Sequence, residues 1–117
     1  MNSQIYSQIY IRKLPGTHVV RAGGAVLGES DAALELTEGT LPPVIYFPRE
    51  DLAMAFLDAS DRRSSCPRKG EAEYFTIVLK SAVLTDAGWS YPAPLAEAER
   101  IAGHIAFDTG RVTVERV

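Results

Sequence analysis

Apolar residues along this chain alternate with polar ones more often than they recur at helical spacing. The clearest case is the stretch 73–83. There Phe75, Ile77 and Leu79 fall on one side and Tyr74, Thr76 and Val78 on the other, the period of two that marks a strand. Apolar side chains on both sides place it inside a sheet. Residues 33–38 alternate cleanly and read as a half-buried strand. The β-branched run 17–22, the pair Gly23-Gly24 and the run 25–30 predict a tight hairpin. Val44-Ile45-Tyr46-Phe47 is a short, dense strand, and Trp89-Ser90-Tyr91 another. Asp86-Ala87-Gly88 reads as a turn between strands. Residues 104–107 and 111–115, on either side of Asp108-Thr109-Gly110, predict a closing hairpin.

Helical spacing shows at two places. Pro48 suits a first helical position, Glu50 and Asp51 its first turn, and Leu52, Ala55, Phe56 and Ala59 a buried face ending near Ser60. Pro94 opens a second short helix with Leu95, Ala98 and Ile101 inward, and Gly103 ends it. The polar stretch 61–69 between them reads as a loop. The expected fold is mainly β: roughly seven or eight short antiparallel strands with two short helices. Residues 11–117 form a single β-rich domain. Residues 1–10, with the duplicated Ser-Gln-Ile-Tyr, form a flexible or edge-strand arm through which a homodimer would pair.

Composition narrows the function classes. The chain has 117 residues, 46% hydrophobic and 23% charged, enough for one ordinary core. Its formal net charge is −3 with scattered basic residues, which speaks against a nucleic-acid surface. No apolar run approaches the ~18 residues of a membrane span. Met1 to Tyr6 lacks the basic and apolar regions of a signal peptide. The single cysteine has no internal partner. The expected location is therefore cytoplasmic, with no membrane partner.

Five stretches together carry a family resemblance. They are Gly24-Ala25-Val26-Leu27-Gly28-Glu29-Ser30, Pro42-Pro43-Val44-Ile45-Tyr46-Phe47-Pro48-Arg49-Glu50-Asp51, Cys66-Pro67-Arg68-Lys69-Gly70-Glu71-Ala72-Glu73-Tyr74, Trp89-Ser90-Tyr91-Pro92-Ala93-Pro94 and Ile105-Ala106-Phe107. The chain resembles, across nearly its whole length, the small bacterial and fungal proteins grouped as domain of unknown function 427. The duplicated N-terminus departs from that pattern. The resemblance implies a compact β-tent-like domain, similar in topology to zinc-carrying proteins such as methionine sulfoxide reductase B. It implies no activity, because a shared topology transfers no function.

The candidate chemistry gathers around Cys66. Arg68 and Lys69 follow it closely, a setting that favours a thiolate nucleophile. Cys66 and Lys69 are therefore the catalytic candidates, set against the ordinary use of a lone cysteine as a small buried hydrophobe. No base adjoins Cys66 in sequence, and His18 and His104 both fall on strands. One cysteine and two distant histidines do not make a zinc pattern, so no metal and no cofactor is expected. Lys69-Gly70 suits an anion without being a phosphate-binding loop. Tyr46, Tyr74, Trp89 and Tyr91 supply aromatic walls, and Arg49 a second cation. Tyr91-Pro92 is a candidate cis peptide. The expected function is a binding module for an anionic or planar small molecule, with Tyr46, Arg49, Lys69, Gly70, Tyr74, Trp89 and Tyr91 as its ligand-binding residues. A Cys66-dependent enzyme and a homodimerising interaction domain are the alternatives.

Overall fold

A computed structural model describes residues 8–117. The duplicated segment expected to form an arm lies outside the described residues except for its last positions, which enter the first strand. Ten strands follow in chain order: β1 (Ile9–Lys13), β2 (His18–Ala22), β3 (Ala25–Ser30), β4 (Leu34–Glu38), β5 (Val44–Pro48), β6 (Leu57–Cys66), β7 (Gly70–Val78), β8 (Val83–Ser90), β9 (His104–Phe107) and β10 (Thr113–Arg116). The chain is mainly β, as its alternation predicts. Every pairing is antiparallel. Seven strands form one sheet in the order β1-β4-β5-β9-β8-β7-β6, and β10-β2-β3 form a second, smaller sheet.

The period of two sorts the apolar side chains of the large sheet into two cores. Phe47, Phe75, Ile77, Ile105 and Phe107 face the small sheet, where Val20, Ala22 and Leu27 meet them. Phe47 and Phe107 pack edge to face with ring centroids 6.1 Å apart, the geometry that aligns a ring edge with a neighbouring π-face. The other side of the large sheet carries Leu34, Leu36, Tyr46, Ala72 and Ala106. It is covered at one end by the segment 91–101, whose Tyr91, Ala98 and Ile101 are buried. Arg100 Nη1 donates to the Ile11 carbonyl at 2.6 Å and ties this cover to β1.

Local turn chemistry explains the elements that form as expected. Gly23 and Gly24 have φ of 53° and 83° and close the β2–β3 hairpin, a left-handed pair that β-carbons disfavour. Pro94 and Gly103 (φ 74°) bracket a 3-10 helix, Ala96–Ile101, that buries Ala98 and Ile101 while Leu95 stays exposed.

Five expectations give way. No α-helix runs from Pro48 to Ser60; two 3-10 turns, Arg49–Asp51 and Met54–Phe56, stand there instead. Leu52 and Leu57 are the buried residues, while Ala55, Phe56 and Ala59 are exposed. The polar stretch 61–69 is not a loop. Most of it belongs to β6, which pairs with β7 across the turn 67–69. As the outermost strand it keeps Asp61, Arg62 and Arg63 in solvent, and charge on an edge strand opposes pairing with other chains. Asp86-Ala87-Gly88 does not turn the chain but lies inside β8 as a bulge. Finally, β9 and β10 do not pair with each other; β10 crosses to β2 in the small sheet. Tyr91-Pro92 is trans.

Candidate functional site

Strand register assembles the site. Tyr46 on β5 lies opposite Ala106 on β9, Ala106 opposite Trp89 on β8, and Trp89 opposite Tyr74 on β7. Residues in register point to the same face, so three aromatic side chains from three strands form one row across the sheet. Ala106, with its small side chain, stands between Tyr46 and Trp89 in this row. Tyr91 joins the row from the covering segment, and Cys66 packs behind it, half-buried.

The hairpin β6–β7 sets Lys69 against this row. Cys66 pairs with Gly70, so residues 67–69 form a three-residue loop, and such loops need a residue of positive φ at their close. Gly70 supplies it, at φ 108°. A β-carbon there would lie 3.3 Å from the Ala93 carbonyl oxygen. The Lys69 carbonyl accepts from the Leu95 amide at 3.0 Å, locking the loop to the covering segment. Gly70 therefore allows a close approach of backbone to backbone. At the loop's other end, Arg68 grips Glu97 of that segment through two hydrogen bonds.

The charges divide into committed and uncommitted groups. Lys69 Nζ donates to Glu38 Oε1 at 2.9 Å and lies 5.8 Å from the Tyr91 ring centroid. Burial pulls the Lys69 ammonium pKa down, but the Glu38 hydrogen bond and the neighbouring acidic groups hold it above the ordinary lysine value. Burial pushes the Tyr46 phenol far above its usual range, against a smaller opposite effect from its hydrogen bond with Trp89. Tyr91 is raised by burial as well, with Lys69 working against the shift. Asp108 accepts from Arg111 Nε at 2.8 Å and from the Gly110 amide at 3.0 Å, which hold its carboxyl below the ordinary range. The Arg62 guanidinium lies 4.6 Å from the Tyr74 ring centroid. It forms no ion pair among the described residues. The Tyr74 and Ser64 hydroxyls share a hydrogen bond of 2.8 Å.

Two adjoining cavities follow the row. One, about 420 Å³, is lined by Tyr46, Tyr74, Trp89, Tyr91 and the charged groups Arg62, Lys69, Asp86, Asp108 and Arg111. The other, about 460 Å³, is largely apolar and runs under Leu41, Pro42 and Pro43 to Leu36, Val44 and Phe107. Val44, Lys69, Trp89 and Asp108 line both. Volumes of this size are typical of sites for small organic molecules.

Of the residues singled out from sequence, Tyr46, Lys69, Tyr74, Trp89 and Tyr91 come together on the cavities. Gly70 shapes the loop, and Cys66 packs half-buried against the aromatic cluster without lining either cavity. Arg49 stands apart: it stacks 5.3 Å from the centroid of Phe75, whose ring belongs to the opposite core, and lines neither cavity. His18 and His104 line neither cavity. Sequence reasoning missed Arg62, Asp86, Asp108 and Arg111. The signal available for Asp86 was an aspartate before Ala-Gly in an otherwise extended run, which suits a bulge as well as a turn. Among the described residues no group of three or more His, Cys, Asp or Glu side chains is placed to hold a metal ion, and no helix is long and apolar enough to cross a membrane.

The family profile described as domain of unknown function (DUF427) matches residues 10–117. No curated protein matches the chain. The match covers every strand but the first residue of β1, and the chain belongs to that family.

Proposed function

We propose that this DUF427 member is a small-molecule binding module whose ligand is a planar anion. The observation that carries the proposal is the aromatic row itself: Tyr46, Trp89 and Tyr74 brought into register on one face, with the unpaired Arg62 guanidinium stacked at its end. Flat aromatic walls recognise flat ligands, and a cation over a ring supplies the anion's partner without burying a lone charge. The apolar cavity beyond Trp89 accommodates a hydrophobic extension of the ligand. A single cysteine fits a reducing, cytoplasmic setting. The scattered basic residues and the net charge of −3 fit a small ligand better than a nucleic acid.

Trp89 is the chain's single tryptophan, so its fluorescence reports on this site alone. Titration of the full chain with benzoate, phenyl phosphate and 2-naphthoate should give saturable changes, and Arg62→Gln should weaken them about fivefold or more, as expected for loss of a charged contact. The absence of a saturable response to all three at concentrations up to about 10 mM, where even a feeble site is occupied, would remove the proposal.

A further inference from the structure

Asp86 carries a carboxylate where the fold has no use for one. Its φ of 53° is the only positive value at a non-glycine position among the described residues. Asp, Asn and Gly all tolerate that conformation. The bulge is held at its own backbone by two side chains: the Asp86 amide donates to Thr76 Oγ1 at 3.1 Å, and Arg111 Nη1 donates to the Thr85 carbonyl at 2.8 Å. None of these contacts uses the Asp86 carboxylate. Its Oδ1 is buried and has no hydrogen-bond partner, while the residue as a whole is only partly buried and lines the 420 Å³ cavity. An unpaired buried carboxylate oxygen is costly, and an asparagine or glycine would serve the bulge with less penalty.

The surroundings make this carboxylate distinctive. On the 420 Å³ cavity, Lys69 is paired with Glu38, and Asp108 with Arg111. Among the described residues, that leaves two charged groups without an ion-pair partner, Arg62 and Asp86, and they are not paired with each other. Arg62 reaches over Tyr74 from β6. Asp86 rises from β8, on the strand that also carries Trp89. A ligand lying on the aromatic row meets a cation from one strand and an anion from another.

We infer that Asp86 is a second recognition group and that the ligand is amphoteric: a planar ring bearing an anionic group for Arg62 and a protonated nitrogen or N–H donor for Asp86. The inference rests on the binding function proposed above and narrows its ligand class. A purely anionic ligand would leave Asp86 unpartnered and would be repelled by it.

The test uses Trp89 fluorescence of the full chain with matched probes: benzoate, benzylammonium, and meta- and para-(aminomethyl)benzoate. At least one aminomethyl benzoate should bind the native chain about tenfold more tightly than benzoate, the size of one charge-assisted hydrogen bond. In Asp86→Asn that preference should shrink to within about twofold. Asp86→Gly, which also accepts the positive φ, should behave alike, and thermal melts identify which variants are folded. Equal binding of benzoate and both zwitterions to the native chain, or an intact zwitterion preference in either folded variant, overturns the inference while benzoate binding stands. Silence from every probe removes the binding function and the inference with it.

Discussion

Lys69 and Glu38 form an ion pair at 2.9 Å with side chains only 15% and 14% exposed, joining the β6–β7 loop to the end of β4. A pair this sheltered gains little from its own attraction but loses much when one member is removed, because the survivor stays behind as a sheltered charge. Glu38→Gln should destabilise the chain by about 2 kcal/mol, between the costs typical of exposed and fully buried pairs. The double variant Glu38→Gln with Lys69→Met should cost less than the sum of the two single changes. Urea unfolding midpoints at a common slope measure all three; additive costs would contradict the coupling.

The same neighbourhood makes the fold sensitive to alkali. Lys69 loses basicity to burial but more than regains it from Glu38, Tyr91 and Cys66 together, and burial raises both Tyr46 and Tyr91. In the unfolded chain lysine and tyrosine release protons from about pH 10 upward. The folded groups hold theirs to higher pH, so the folded state binds more protons there and stability falls as pH rises. Stability should be unaffected by these groups below about pH 10 and decline progressively above it. Tyr46→Phe should make that decline shallower, measured as urea midpoints between about pH 8 and pH 11. A slope identical to that of the native chain would show that Tyr46 ionises as freely in the fold as outside it.

Gly28 on β3 is set by space alone. A β-carbon at Gly28 would lie 2.5 Å from the Asp51 carbonyl oxygen and 2.7 Å from Leu52 Cδ2. Gly28 also bridges Leu52 directly, and the Ala53 amide donates to the Leu27 carbonyl at 2.7 Å beside it, so the 3-10 turn after β5 is pressed onto β3 here. Gly28→Ala should cost about 2–3 kcal/mol by overpacking, a drop of roughly 10 °C in melting temperature for a domain of this size. A shift of a degree or two would mean that the turn can lift away freely.

Cys66 separates the binding function from thiol chemistry. It packs half-buried against the aromatic core and lines neither cavity. Cys66→Ala should therefore leave the Trp89 titrations with benzoate within about twofold of the native chain, at a modest cost in stability. A loss of binding larger than tenfold on this change would return Cys66 to the centre of the site.

The sequence made legible what is decided locally. The β2–β3 hairpin follows from two adjacent glycines, and β4 and β5 from their apolar spacing. The aromatic set was visible too, because aromatic residues on short strands have few destinations. What escaped is decided by distant partners. The charged strand β6 has almost no apolar pattern; it is a strand because β7 pairs with it. The helical spacing of Leu52, Ala55, Phe56 and Ala59 arose without a helix, since burying Leu57 at the start of an extended strand competes with it. Residues 104–107 and 111–115 looked like a hairpin, yet Val114 pairs with Val20 in the other sheet. Arg62 and Asp86 stayed hidden for the same reason: one sits on the unforeseen strand and the other in the unforeseen bulge.

The bulge at Asp86 also decides how this site can vary. Downstream of it, Trp89 faces the cavities and Gly88 the opposite core, where a β-carbon would touch Phe107. Adding or deleting one residue between Asp86 and Trp89 would exchange those faces, driving the indole into the sandwich and turning a glycine towards the ligand. The groove can be retuned by substitution, but not by changing chain length along β8. Length changes belong instead to the exposed stretch 39–43, which roofs the apolar cavity and joins β4 to β5 beyond their last paired residues, Leu36 and Val44. A related chain that kept the groove while taking a larger ligand would be expected to differ there.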